Sequence, residues 1–298
     1  MPTWDEILKD VSSSPNIYDI TRRKYIRELS DYTGRNTIIY YSAYLQKPQL
    51  SRQGVDFGIN DGDKTGLMTV ISKLDKKKGL DLFLHTPGGN ISATESIVSY
   101  LRLMFGNDIR AIVPQIAMSA GTMMACSCKS IVMGKQSNLG PIDPQIGMTP
   151  AQGILDEFER IKDDVKKDPK TIIVWREILS RYNPTLIGEC EKAIKWAADI
   201  VEEWLNENMF SKEKDKSVKV KKILSQLSDH SKTLSHSRHL GINEIKSIGL
   251  KVEELEKDQK LQDLVLSVHH ATIISLTQTH AVKIMENNIG KSYVQISS

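Results

Sequence analysis

The stretch from Leu80 to Met133 constrains the fold more than any other part of this 298-residue chain. Three short apolar runs, Leu80-Asp-Leu-Phe-Leu84, Ile109 to Val113 and Ile131-Val-Met133, alternate with two segments of helical character, Ile91 to Phe105 and Ser119 to about Cys126. The connections are only a few residues long. Strands joined through helices in this rhythm pair in parallel by right-handed crossovers, so the segment reads as α/β, a parallel sheet of β-α units. Thr37-Ile-Ile-Tyr-Tyr41 is an earlier strand, set off from a polar helical start by Thr33-Gly-Arg-Asn36. Leu67, Val70, Ile71 and Leu74 supply an apolar helical face between that strand and Leu80.

After Pro141 the pattern changes to amphipathic helices. Residues 150–167 and 171–208 keep a helical apolar spacing, broken at Pro169 and Asn183-Pro184, and Leu255 to Met285 reads as one long closing helix. Ser211 to Lys222 carries six lysines against two acids and reads as a solvated linker or a helix start. The division that follows is a helical arm over 1–35, a core over 36–150 and a helical extension over 151–298.

A formal charge of +3 is too small to argue for nucleic acid, and 40% apolar with 26% charged residues is the composition of a water-soluble globular protein. Three cysteines, Cys126, Cys128 and Cys190, form no disulfide framework, and the first two lack the partners of a zinc site. No metal and no cofactor is expected. Ala111 to Cys128 is uncharged over 18 residues, but Pro114, Gln115, Ser119, Gly121 and Thr122 make it a poor membrane span and a good buried strand, turn and helix. The amino-terminal residues show no secretory pattern, which with the sparse cysteines gives a cytoplasmic expectation.

Ser119 sits where an apolar strand turns into a helix of small residues, in Ala117-Met-Ser-Ala-Gly121, one residue away from Gly-x-Ser-x-Gly. Such a turn lifts a hydroxyl clear of the sheet, although serine also caps helices for purely structural reasons. Thr86-Pro-Gly-Gly89 ends another strand, and amides from Gly88 or Gly89 with that of Ala120 would supply the two donors a tetrahedral oxyanion needs. A plain Pro-Gly turn is the alternative there. Parallel sheets bind ligands at such strand ends. A serine nucleophile needs a base, to be found among seven histidines and the lysines; His85, beside the glycine turn, either packs or lines a groove. Asp143 lies between two prolines, a rigid setting for holding an imidazole, or is simply a turn residue.

Taken in order, Thr33-Gly-Arg-Asn36, Tyr40-Tyr-Ser42, Leu80-Asp-Leu82, His85-Thr-Pro-Gly-Gly89, Ala117-Met-Ser-Ala-Gly-Thr122, Leu139-Gly-Pro-Ile-Asp-Pro-Gln145 and a histidine thirteen residues before Gly249-Leu250 resemble the serine dehydrogenase proteinase family. These are relatives of the Clp proteolytic subunit and of signal peptide peptidase A. The resemblance implies a Clp/crotonase-like fold with C-terminal helical extensions, peptide or protein substrates, and assembly into homo-oligomers. It implies a triad in the order Ser, Asp, His: Ser119 as nucleophile, Asp143 as orienter and His236 as base, with His239 as second choice. Signal peptide peptidase A uses a lysine instead, and Lys162, Lys166, Lys167 and Lys170 fall in that window, Lys170 being the one to test. The function implied is a serine peptidase working through an acyl-enzyme. The alternative is a non-proteolytic relative that binds peptides or partners on the same scaffold.

Overall fold

The computed structural model describes residues 17–147, 149–228 and 235–297; the first sixteen residues of the expected arm and His230 lie outside them. Helix α1 (Ile17–Thr33) leads into β1 (Asn36–Ser42), and α2 (Gly62–Ile71) into β2 (Leu80–His85). Then come α3 (Ile91–Phe105), β3 (Ile109–Val113), the two-residue β4 (Ile116–Ala117), α4 (Ala120–Cys126) and β5 (Ser130–Met133). The alternation of apolar runs therefore folds as its spacing predicts, and the uncharged stretch 111–128 divides between β3, β4 and α4. Among the described residues no helix is long and apolar enough to cross a membrane.

Strands β1, β2, β3 and β5 join three later ones, β10 (Val252–Glu254), β11 (Ala281–Asn287) and β12 (Ser292–Ile296), in one seven-stranded sheet of order β10-β5-β3-β2-β1-β11-β12. Pairs β1/β2, β2/β3, β3/β5 and β5/β10 are parallel, and β1/β11 and β11/β12 are antiparallel. Side chains alternate across the pleat, so Ile38 and Tyr40 of β1 enter one apolar cluster while Ile39 and Tyr41 enter the other. The sheet is thus buried on both faces, as parallel sheets are.

Past β5 the chain makes β6 (Asn138–Leu139), a small hairpin of β7 (Gln145–Ile146) and β8 (Thr149–Pro150), and the helices α5 (Ala151–Lys167), α6 (Ile172–Leu179), α7 (Leu186–Trp204) and α8 (Lys216–Leu227). The breaks at Pro169 and Asn183-Pro184 separate α5, α6 and α7. The lysine-rich segment proves to be a helix start, since Val220, Ile223, Leu224 and Leu227 of α8 are buried. Helix α7 has two environments. Ala197, Ile200, Val201 and Trp204 join the main core, whereas Leu186, Cys190 and Ile194 pack with Ile154 and Phe158 of α5 in a separate small cluster.

The end of the chain departs from the expected helical extension. After β9 (Leu240–Gly241) and α9 (Ile242–Ile248), β10 (Val252–Glu254) joins the central sheet; α10 (Gln259–Gln278) follows, and then β11 (Ala281–Asn287) and β12 (Ser292–Ile296) form its opposite edge. The helix expected to run to Met285 stops at Gln278. The last fifty residues are part of the core, with α10 packing beside α1 on one face of the sheet.

Candidate active site

Asn90 caps α3 by accepting from the amide of Ala93 at 3.1 Å, which ends the glycine turn and starts the helix. That turn is tied to the Ser119 turn by a short parallel bridge: Thr86 N–H donates to Ile116 O at 3.3 Å and Met118 N–H to Thr86 O at 3.0 Å. The approach leaves no room for side chains. A Cβ on Gly88 would come within 2.7 Å of Ser119 Cβ and 3.1 Å of the Ala120 nitrogen, and one on Gly121 within 2.5 Å of Thr86 Cγ2. These contacts explain why glycines recur in both motifs.

Ser119 lies between β4 and α4 with φ +50° and ψ −115°, one of two non-glycine residues with positive φ among those described. A left-handed conformation at a residue with a Cβ costs about 1–3 kcal/mol and persists where the surroundings impose it, typically at functional sites. Ser119 is half-buried and holds the N-cap position of α4, which begins at Ala120, but its hydroxyl makes no capping hydrogen bond. Among the described residues neither the Ala120 nor the Gly89 amide has a hydrogen-bond acceptor, whereas Gly88 N–H donates to Thr86 Oγ1 at 3.2 Å.

The loop carrying Asp143 is fastened to α4, since Gly140 N–H donates to Thr122 Oγ1 at 2.9 Å and that hydroxyl donates to Ala117 O at 2.9 Å. Strand β6 pairs in parallel with β4 and antiparallel with β9, placing Leu139 opposite Leu240. Asp143 stands four residues after Leu139 and His236 four before Leu240, so the antiparallel register carries the two toward each other from positions 93 apart in sequence. His236 Nδ1 lies 3.0 Å from Asp143 Oδ1, with the carboxylate buried and the imidazole 20% exposed.

Ser119 and His236 line one cleft of about 460 Å³, together with Gly89, Met123, Ile142 and Trp196. Among the described residues His236 is the one titratable side chain in its lining. The Ser119 hydroxyl makes no hydrogen bond to His236 among the described residues. A larger cavity of about 590 Å³ between α3 and α7 touches neither of them, and its lining of Glu95, Arg102 and Glu203 with serines offers no nucleophile–base pair.

His239 and Lys170 are exposed and do not line the cleft; Lys162 is paired with Glu159 at 2.6 Å on the surface of α5. His85 packs rather than lining the groove. It is buried against Tyr41, Tyr44 and His269 at ring separations of 5.1–5.6 Å, and burial holds its pKa down to about 3. Cys126 and Cys128 are buried thiols pushed up to about 12 by desolvation, which suits core packing. Among the described residues no group of three His, Cys, Asp or Glu side chains could hold a metal ion. Sequence reading missed Trp196 and Ala193, which α7 contributes to the cleft. An apolar residue on an amphipathic helix carries no mark separating a core position from a cleft wall.

A family model described as ClpP-like SDH-type serine proteinase matches residues 17–285. The chain is 30% identical over 236 residues to "Uncharacterized protein MJ0137" of Methanocaldococcus jannaschii, covering 78% of this chain and 74% of that protein. It is 31% identical over 190 residues to "Uncharacterized protein MJ1495" of the same organism, covering 64% of this chain and 57% of the relative.

Proposed function

The chain belongs to the ClpP-like SDH-type serine proteinase family, and from that premise we propose that it is a serine peptidase acting through an acyl-enzyme on Ser119, with Asp143 and His236 completing the triad. The observation that carries this reading is the 3.0 Å contact of His236 Nδ1 with buried Asp143 Oδ1 in the cleft that Ser119 also lines. With Nδ1–H held by the carboxylate, Nε2 is the ring nitrogen that accepts the serine proton. Ser119 Oγ then bonds to the substrate carbonyl carbon, and the amides of Gly89 and Ala120, with Gly88 beside them, receive the developing oxyanion. His236 returns the proton to the leaving amine. A water molecule, deprotonated by the same imidazole, releases the acyl group. A serine–base hydrogen bond that closes only when substrate arrives is common in unliganded hydrolases.

His239 and Lys170 stand outside the cleft lining, which favours His236 as the base. Among the described residues the lining holds no carboxylate, lysine or arginine, so the reading extends to peptides with uncharged side chains near the scissile bond. A homo-oligomer in the cytoplasm completes the proposal, as the family kinship suggests.

The test is labelling by a fluorophosphonate, which phosphonylates an activated serine. Wild type is expected to label and Ser119→Ala not to label, a loss of at least about 10³-fold. A wild type that stays unlabelled, or an alanine variant labelled equally, sinks the hydrolase reading and leaves a peptide-binding relative.

A further inference from the structure

Lys283 of β11 and Asp63 of α2 are almost completely buried, 1% and 0% exposed, with Nζ 3.1 Å from each carboxylate oxygen. Desolvating such a pair costs about as much as the attraction returns, so its presence calls for a reason other than stability. Its remaining contacts supply one. Lys283 Nζ donates to Gly58 O at 2.5 Å, and Asp63 Oδ2 accepts from the Asn60 amide at 3.0 Å and from the Tyr40 hydroxyl at 2.7 Å. The pair thus grips both ends of the segment Gly58-Ile59-Asn60.

That segment lies against the glycine turn. Ile59 N–H donates to Gly88 O at 2.7 Å and Asn90 N–H donates to Ile59 O at 2.8 Å, a parallel bridge centred on Ile59 and Gly89. Gly89 has φ +152°, and a Cβ there would lie 2.1 Å from the Ile59 nitrogen. The peptide between Gly88 and Gly89 is planar and trans, so fixing the Gly88 carbonyl toward Ile59 aims the Gly89 N–H the opposite way. A flip of that one peptide would present an oxygen where the oxyanion needs a donor. Within the turn, Thr86 Oγ1 accepts from Gly88 N–H at 3.2 Å.

We propose that Lys283, Asp63 and Tyr40 are positioning residues that hold the 58–60 segment against the glycine turn and so lock the Gly88–Gly89 peptide in its donor orientation. The inference rests on the hydrolase reading for its catalytic meaning, but the lock itself is a property of the backbone.

The experiment uses the full chain with Tyr40→Phe, which removes one oxygen, Lys283→Met, and Asp81→Asn as a buried-charge control at the other end of β2. In wild type and each variant, the maximal rate and half-saturation concentration of fluorophosphonate labelling are measured below the melting temperature. Amide hydrogen exchange is measured at Ile59 and Asn90. Tyr40→Phe and Lys283→Met are expected to lower the maximal rate about tenfold or more, with half-saturation changed less than about twofold, because a misdirected donor weakens the transition state rather than binding. Exchange at Ile59 and Asn90, taken relative to other core amides of the same protein, should speed up at least about tenfold in both, with Asp81→Asn leaving that ratio and the labelling rate as in wild type. Wild-type rates and exchange in Tyr40→Phe and Lys283→Met overturn the proposal, as does an equal fall in Asp81→Asn. Should Lys283→Met not fold, Tyr40→Phe decides. If wild type does not label, the hydrolase reading fails by itself, and the exchange rates still judge the lock.

Discussion

The two ends of strand β2 each carry a buried carboxylate held by cations, and they do so differently. At the start of the strand, Asp81 accepts from Arg35 Nε at 2.7 Å and from Arg110 Nη2 at 2.8 Å, and the same guanidinium groups reach Asp108 and Glu253, both nearly half exposed. The network opens to solvent and links the ends of neighbouring strands. Beyond the other end, Asp63 and Lys283 are closed off from water, and their spare hydrogen-bonding capacity goes to Tyr40 and to main-chain atoms of Gly58 and Asn60. One arrangement binds strands together; the other holds a short piece of backbone. A buried ion pair is informative through what else it touches.

The strongest way to sharpen this contrast acts on the catalytic side. Asp143→Asn keeps the shape of the proposed orienter while removing its charge, and labelling should fall by about 10³–10⁴-fold with the melting temperature little changed. Unchanged labelling would remove the functional half of the comparison. Next in size, Asp81→Asn leaves two arginines short of a buried partner and should cost about 3 kcal/mol in urea unfolding, with the labelling rate of folded protein preserved. If labelling falls in step with stability, the two ends are not distinct.

Acid supplies a smaller effect on a third buried group. His85 keeps a pKa of about 3 when folded and regains its ordinary value of 6.5 when unfolded, because burial disfavours the imidazolium. Between those values the unfolded chain binds a proton that the folded chain does not. Stability is therefore lost as pH falls from about 6.5 toward 3, with a limiting slope of about 1.4 kcal/mol per pH unit from this group. His269, also pushed down by burial, adds to the slope. Unfolding midpoints measured in this window should flatten in His85→Phe, and an identical slope would discount the histidine. The smallest effect is at the cleft wall: Trp196→Ala should raise KM for apolar peptide substrates about fivefold with stability nearly unchanged, since the indole is 41% exposed. An unaltered KM would remove Trp196 from substrate contact.

The strand, turn and helix order from Leu80 to Met133 was legible because parallel strands buried on both faces read as plain apolar runs. The closing segment was not. Ala281–Asn287 contains Lys283 and Glu286, and charges at that spacing suggest the wet face of a helix. Both are buried in the sheet, where Asp63 answers the lysine and Arg22 answers the glutamate at 2.6 Å. Such partners stand more than two hundred residues away, and local periodicity cannot reveal them. In the cleft, Ser119 and the glycine turn were visible as local motifs. Asp143 shows locally only as a carboxylate between two prolines and His236 only through the family resemblance, and their approach depends on the pairing of two-residue strands too short to leave a pattern.

That pairing also has a temporal meaning. Under the proposed mechanism, nucleophile and oxyanion donors are synthesised in the first half of the chain, whereas the base arrives only once β9 has docked beside β6, and the lysine behind the glycine turn comes later still. A ribosome-bound or prematurely ended chain would carry an idle serine. Under that mechanism the order of synthesis would delay peptide-bond cleavage until nearly the whole molecule has folded.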